Sequence, residues 1–326
     1  MTVSNSTTRI PQSEADIDDE IADLEHKLAE AKIRRQRFKS SASQPRIPSP
    51  SSKTDSALPL GSFAFSSGLE SYLSHQKHYL PSSPQGQPSP VTVFISSFLP
   101  LSLSSYAATS LPFVLAAARL VSQPSQLTSA ALTALDDAQD AAIPCVVARR
   151  ASIAQGRALL GIWERSFDGV VRHPAAVTEE GAKQAEEALR GFATLVRKSS
   201  SSTLASSSAS AAAPTTMDED APPASSAHLA PLFGAVASLL GLAPEEAAYV
   251  FLLGHVKALV SAAVRAGMFG PYQAQRTLAG GEVHEMITAM VEREWETEVE
   301  DAGQTVPVMD LWVGRHELLY SRIFNS

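Results

Sequence analysis

Side chains able to do chemistry are few and scattered in this sequence. Eight histidines stand at 26, 75, 78, 173, 228, 255, 284 and 316, and only His75 and His78 share a helical spacing of three. Two imidazoles on one helical turn make half of a zinc or nickel site. No third ligand stands near them in sequence, so surface histidines are the better reading. Cys145, the single cysteine, follows Pro144 at an expected helix start, a position that can activate a thiol; a small core residue is the plainer account. Asp136, Asp137 and Asp140 crowd one helix, and Arg149, Arg150 and Arg157 follow on the next. Without a histidine beside it in sequence, the acidic trio reads as a polar face paired with basic groups. The chain has no Gly-x-Ser-x-Gly elbow, no Walker-type phosphate loop, no dinucleotide fingerprint after a strand and no His-Glu-x-x-His. GTP or ATP is therefore not expected to be held by this chain.

The elements that must position these residues are helices. Hydrophobic periodicity and Pro/Gly punctuation predict them over 62–79, 91–108, 111–122, 126–139, 145–166, 178–197, 229–241, 244–266, 271–297 (with a kink) and 307–321. No strand is expected. Ser13 and the seam Ile17, Ile21, Leu24 and Leu28 predict a solitary amphipathic helix over 13–39, acidic at its start and basic at its end, as the helix dipole favours. A Ser/Pro-rich linker over 40–57 completes a flexible N-terminal arm of residues 1–57. Residues 199–227, rich in Ser and Ala and carrying Asp218, Glu219 and Asp220, read as a disordered internal insert.

The 326 residues thus reduce to one all-α domain of about ten helices over 58–326, with a terminal docking segment at 307–326. At 44% hydrophobic but only 6% aromatic residues, its core must be built largely from Ala and Leu, which suits close-packed helices. The 26 basic against 34 acidic residues give a net charge of −8, which argues against nucleic acid as a partner. One cysteine excludes an intrachain disulfide framework. The opening MTVSNSTTRIPQSEAD lacks the apolar run of a secretory signal, so a cytoplasmic location is expected. Residues 78–118 carry no Asp, Glu, Lys or Arg, yet Pro100, Pro112 and many serines interrupt them. They are expected to be buried helices and not a membrane span.

Two segments look made for protein contact. In LPLGSFAFSSGLESYL (58–73), Gly61 and Gly68 permit close backbone approach, Phe63, Phe65, Leu69 and Tyr72 form an apolar face, and Glu70 is the only acid. Near the end, Met309, Trp312, His316, Leu319 and Ile323 fall on one helical stripe, followed by Tyr320 and Phe324. Chain ends are normally frayed and polar. A tail this apolar either folds back on its own domain or docks in a groove of a partner.

The 58–73 segment resembles the urease accessory protein F (UreF) family, whose members carry Leu-Pro-x-Gly-x-Phe-x-x-Ser-x-Gly-Leu-Glu there. Three further blocks agree in order: VARRASIAQGRALLGIWERSF (147–167), residues 228–278 with SAAVRAGMFGPYQAQR, and the terminal HELLYSRIFNS, which looks like the eukaryotic branch. Phe65 stands where Tyr or His is common, and Ser67 where bacterial relatives often have Gln. The resemblance implies an all-helical, usually dimeric protein without catalysis of its own. It implies assembly with the D-type (UreD/UreH) scaffold and the G-type (UreG) GTPase on apo-urease, where nickel is inserted and the GTPase brings GTP and metal. It favours the D-type scaffold as the partner of the tail residues Trp312, His316, Leu319, Tyr320, Ile323 and Phe324. It favours the turn with Arg265, Tyr272, Gln275 and Arg276 as the GTPase contact. Against it stand a helical adaptor of another complex and a hydrolase with a Ser/His site invisible in sequence.

Overall fold

The computed structural model describes residues 61–79, 89–123, 126–169, 179–208 and 225–325, together with Lys32. The chain divides into two compact units, Met1–Ser49 and Pro50–Ser326. In the first, Lys32 is helical; the rest of the expected 13–39 helix, like the 40–57 linker, lies outside the described residues.

In the second unit the described residues form ten α-helices and no strand: α1 (Leu69–Tyr79), α2 (Pro90–Val121), α3 (Ser129–Ala142), α4 (Val146–Ile162), α5 (Glu179–Ser208), α6 (Leu229–Leu239), α7 (Pro244–Arg265), α8 (Pro271–Ala279), α9 (Gly281–Glu294) and α10 (Pro307–Arg315). The α2 helix is the centre. It packs along α6 and α7, with α9 also against it, and α6 is flanked in turn by α4. Phe98, Leu103, Leu111, Phe113, Val114 and Leu115 of α2 are each at most 1% exposed. Full burial of such a side chain contributes roughly 1.5–3 kcal/mol. Length and composition alone would let α2 and α7 cross a membrane. Here both pack against several other helices, as expected for the charge-free stretch.

The sequence suggested two helices, 91–108 and 111–122, where the fold has one that runs through both Pro100 and Pro112. Pro100 lacks an N–H and its ring crowds the carbonyl four residues back. Phe94–Phe98 form a single π-turn, in which the Leu99 N–H reaches back to the Phe94 carbonyl, and the helix continues past the proline. Pro112 sits in the helix interior and cannot donate to Ala108. That carbonyl instead accepts the Gly303 N–H at 3.2 Å, so a loop far along the chain takes the vacant partner.

Helix α6 is buried on nearly every side, and it crosses α2 so closely that a Cβ at Gly234 would lie 2.2 Å from the Val114 carbonyl oxygen. Only glycine allows that approach. The expected kink within 271–297 is a full break at Gly280, where the N-cap of α9 begins. The helix expected over 178–197 runs on to Ser208, so the first part of the segment taken for a disordered insert is helical; residues 209–224 lie outside the described ones.

Candidate partner-docking face

The motif at 61–73 begins with backbone geometry. Gly61 takes a left-handed φ of 72° ahead of a 3-10 turn, Ser62–Ala64, and Gly68 another of 87° just before α1. The two glycines differ in purpose. A Cβ at Gly68 would meet the Trp312 Cβ at 3.0 Å and the Val313 nitrogen at 3.1 Å, so Gly68 does allow close approach, to α10; a Cβ at Gly61 would meet nothing within 4 Å, and its role is the turn alone.

The C-terminal tail folds back on this motif. One carboxylate organises it: Glu70 Oε2 lies 3.0 Å from His316 Nε2, and Oε1 accepts the Ile323 N–H at 2.7 Å. The Asn325 N–H donates to the Ala64 carbonyl at 2.8 Å. Arg265 at the end of α7 donates to the Phe63 carbonyl and lies over the Phe324 ring, its Cζ 4.3 Å from the centroid. Burial pulls the Arg265 guanidinium below its ordinary range. Tyr72 meets the Trp312 ring edge-on at 5.7 Å and His75 lies at 4.7 Å from it. His75 is thus part of the α1/α10 contact; the side chain of His78 lies outside the described residues. Among the described residues no three His, Cys, Asp or Glu side chains gather as a metal cluster.

The expected stripe from Met309 to Ile323 on one helix is not formed. Helix α10 ends at Arg315, a 3-10 turn spans His316–Leu318, and Leu319 is extended. Glu70 and the Ala64 carbonyl take the N–H groups of Ile323 and Asn325 that a longer helix would have used internally. His316, Phe324 and Glu70 are therefore inside the fold, with Phe65, Trp312 and Leu319 half-buried. The same path turns other side chains outward: Leu311, Leu318, Tyr320 and Ile323 are 70, 82, 106 and 64% exposed, and Phe63 is 63% exposed. Leu311 and Leu318 were not singled out by sequence, because their exposure follows from where the helix stops. Tyr272 (91% exposed), Gln275 and Arg276 stand open on α8, beyond the turn that follows Arg265.

Within the acidic trio Asp140 pairs with Arg149 as expected, whereas Asp136 has a different job. Asp136 is 1% exposed and accepts three backbone N–H groups, from Ser226, Ala227 and His228, at 2.7, 3.0 and 2.5 Å. Ser152 Oγ accepts the Leu229 N–H at 3.2 Å, so two side chains take four successive N–H groups leading into α6. Asp140 lies 3.0 Å from His228 Nε2 and 3.4 Å from Arg149 Nε. Asp137 is raised by burial and by its neighbours Asp136 and Asp140. Residues 225–227, at the end of the expected insert, are fixed by this cradle, with Ala227 at a φ of 71°.

This cradle also places Ser152 Oγ 3.1 Å from His228 Nδ1 and Asp140 on the other ring nitrogen, the order of a hydrolytic triad. The hydroxyl, however, is engaged by the Leu229 N–H, and the imidazole is wholly buried (0% exposed). The arrangement caps a helix.

A profile of the UreF family matches residues 95–281, more than half of the chain. The chain belongs to the UreF family. A UreF-like urease accessory protein of Schizosaccharomyces pombe is 34% identical over 273 residues, covering 84% of this chain and 94% of the relative. Urease accessory protein 6 of Cryptococcus neoformans var. grubii is 27% identical, with 84% of this chain and 95% of the relative aligned. Urease accessory protein F of Oryza sativa subsp. indica is 26% identical over 83% of this chain and 81% of its own length. Two fungal proteins and a plant one place this UreF with the eukaryotic branch. It is an accessory protein without catalysis of its own, which agrees with a capping role for Ser152 and His228.

Proposed function

We propose that this UreF-family protein serves urease maturation as a docking subunit, joining a D-type scaffold and a G-type GTPase on apo-urease while nickel is inserted. The relatives' names supply urease as the client. The observation that carries the docking role is the tail. Its inward side chains, His316 and Phe324, hold it in one place, while Leu311, Leu318 and Tyr320 line one surface hollow and Ile323 is exposed further along. Large exposed apolar groups on an ordered segment mark an interaction surface. We assign that face, with Phe63 beside it, to the scaffold.

The second surface is α8 with Tyr272, Gln275 and Arg276, assigned to the GTPase. Arg265 lies between the two, bonded to Phe63 and covered by Phe324, and so acts by positioning the tail. In this reading nickel and GTP belong to the partners, the protein works in the cytoplasm, and a homodimer is the working form. Replacing Leu318 and Tyr320 together by Asp is expected to abolish co-purification with the D-type scaffold while far-UV circular dichroism stays unchanged, since both side chains already face solvent. Undiminished co-purification would remove the tail from the interface.

A further inference from the structure

A cleft of about 170 Å³ opens between α2, α4 and α7, with α6 beneath and α10 at one side. None of the residues assigned to partner docking lines it, apart from Phe65 at one edge. Its walls are small and apolar where α4 and α7 face each other: Ala148 and Ala151 on one side, Gly254 and Ala258 on the other. On its floor the Tyr106 and His255 rings stack with centroids 4.0 Å apart and an interplanar angle of 10°, and Ser102 Oγ lies 3.0 Å from His255 Nε2.

Three features define what such a cleft accepts. The first is charge: no lysine or arginine is among the described residues that line it. Burial pulls His255 down to about 3 and keeps it neutral, and pushes Tyr106 up. Asp310, at the α10 side, is raised by burial as well, against a hydrogen bond from Gln304 that lowers it. An anion would lose its hydration there without gaining a counter-charge, and a cation would meet a single carboxyl, Asp310, among the described lining residues. The second is an unmet acceptor. Gln139 lines the cleft, is 1% exposed, and its Oε1 has no hydrogen-bond partner among the described residues. Buried acceptors in native folds are nearly always paired, so this one calls for a donor from outside the chain. The third is the lining: Tyr106, stacked on His255 and at 5.1 Å on Phe251, makes one side of the cleft aromatic, which suits a small planar group.

We propose that this cleft is a binding site for a small, uncharged, planar molecule that donates an N–H hydrogen bond, the chemistry of a primary amide, with Gln139 as its acceptor. The proposal is independent of the docking role assigned above. Its test uses three probes of one shape that differ in charge: benzamide, benzoate and benzamidinium, observed by saturation-transfer NMR with the full chain at neutral pH. Benzamide is expected to bind saturably, with benzoate and benzamidinium at least about tenfold weaker. Gln139→Leu should weaken benzamide by about tenfold or more, as expected for losing a bond to a buried acceptor. Gly254→Leu provides a second variant that does not depend on the buried amide. Nothing lies within 4 Å of a Cβ at this exposed mid-helix position, so the fold is retained while the new side chain occupies the mouth of the cleft. Loss of benzamide in Gly254→Leu supports the site even if Gln139→Leu folds poorly. Absence of saturable benzamide binding, equal binding of the charged probes, or binding that survives Gly254→Leu would overturn it and leave the cleft to water.

Discussion

A single buried carboxylate carries unusual weight at the residue scale. Asp136 receives three consecutive backbone N–H groups, and Ser152 takes the next one, that of Leu229, so four successive donors leading into α6 are paired. Hydrogen bonds to a charged group are worth about 1.5–3 kcal/mol, and stranding buried donors adds to the loss. Asp136→Ala is therefore expected to destabilise the protein by at least about 3 kcal/mol in urea unfolding, whereas Ser152→Ala should cost about 1 kcal/mol, the usual worth of a neutral cap. A loss below about 1 kcal/mol for Asp136→Ala would mean that water replaces the carboxylate. Nothing in the spacing of Asp136, Asp137 and Asp140 distinguishes them, because the groups they serve lie about ninety residues away in sequence. The sequence marked the cluster as structural; its target became visible only when the fold placed 225–229 beside α3. Glu70 is the opposite case. As the lone acid of an apolar motif it attracted notice at once, yet that it holds His316 and Ile323 depends on a tail path no periodicity describes.

At the scale of elements, helix existence was legible and helix ends were not. Periodicity placed helix over each of the described helices of the second unit, although it split α2 in two and joined α8 to α9. It misjudged ends wherever a distant group competes for backbone partners: at Pro112, where Gly303 takes the spare carbonyl, and at Arg315, where Glu70 draws the tail into an extended course. Glycine within helices separates two such influences. Local propensity favours alanine over glycine in a helix by about 1 kcal/mol. Gly254→Ala, open on all sides, should accordingly raise stability by about 0.5–1 kcal/mol. Gly234→Ala should lower it by several kcal/mol, because its methyl would collide with the Val114 carbonyl of α2. Thermal unfolding of the two variants in opposite directions is the expected result, and a stabilised Gly234→Ala would show that α2 and α6 part easily.

For the whole molecule the consequence of a largely uncharged interior is sensitivity to acid. His255 protonates near 6.5 when unfolded but only at about 3 when folded, owing to burial. Between those values the unfolded chain binds the extra proton, so stability is complete above pH 6.5 and declines as pH falls toward 3, by up to about 1.4 kcal/mol per unit from this residue alone. Urea midpoints measured from pH 7.5 to 4.5 should fall, and more gently in His255→Gln. A slope unchanged by the substitution would assign the acid sensitivity elsewhere. The composition anticipated a helical, Ala- and Leu-built interior, and that architecture is what stands. It did not anticipate an interior histidine stacked on a tyrosine, because a lone His on an apolar helix face reads the same whether it lies in a core or along a cleft.

The spare carbonyl at Ala108 has a mechanical consequence for the far end of the chain. Gly303, hooked to the core helix, lies just ahead of α10, while Ile323 and Asn325 are fastened to the 61–73 motif. The intervening strap is buckled at root and tip, so Leu318 and Tyr320 are held out like studs on a taut band. A partner that seats on them meets a shape already set, and little ordering entropy is left to oppose its arrival.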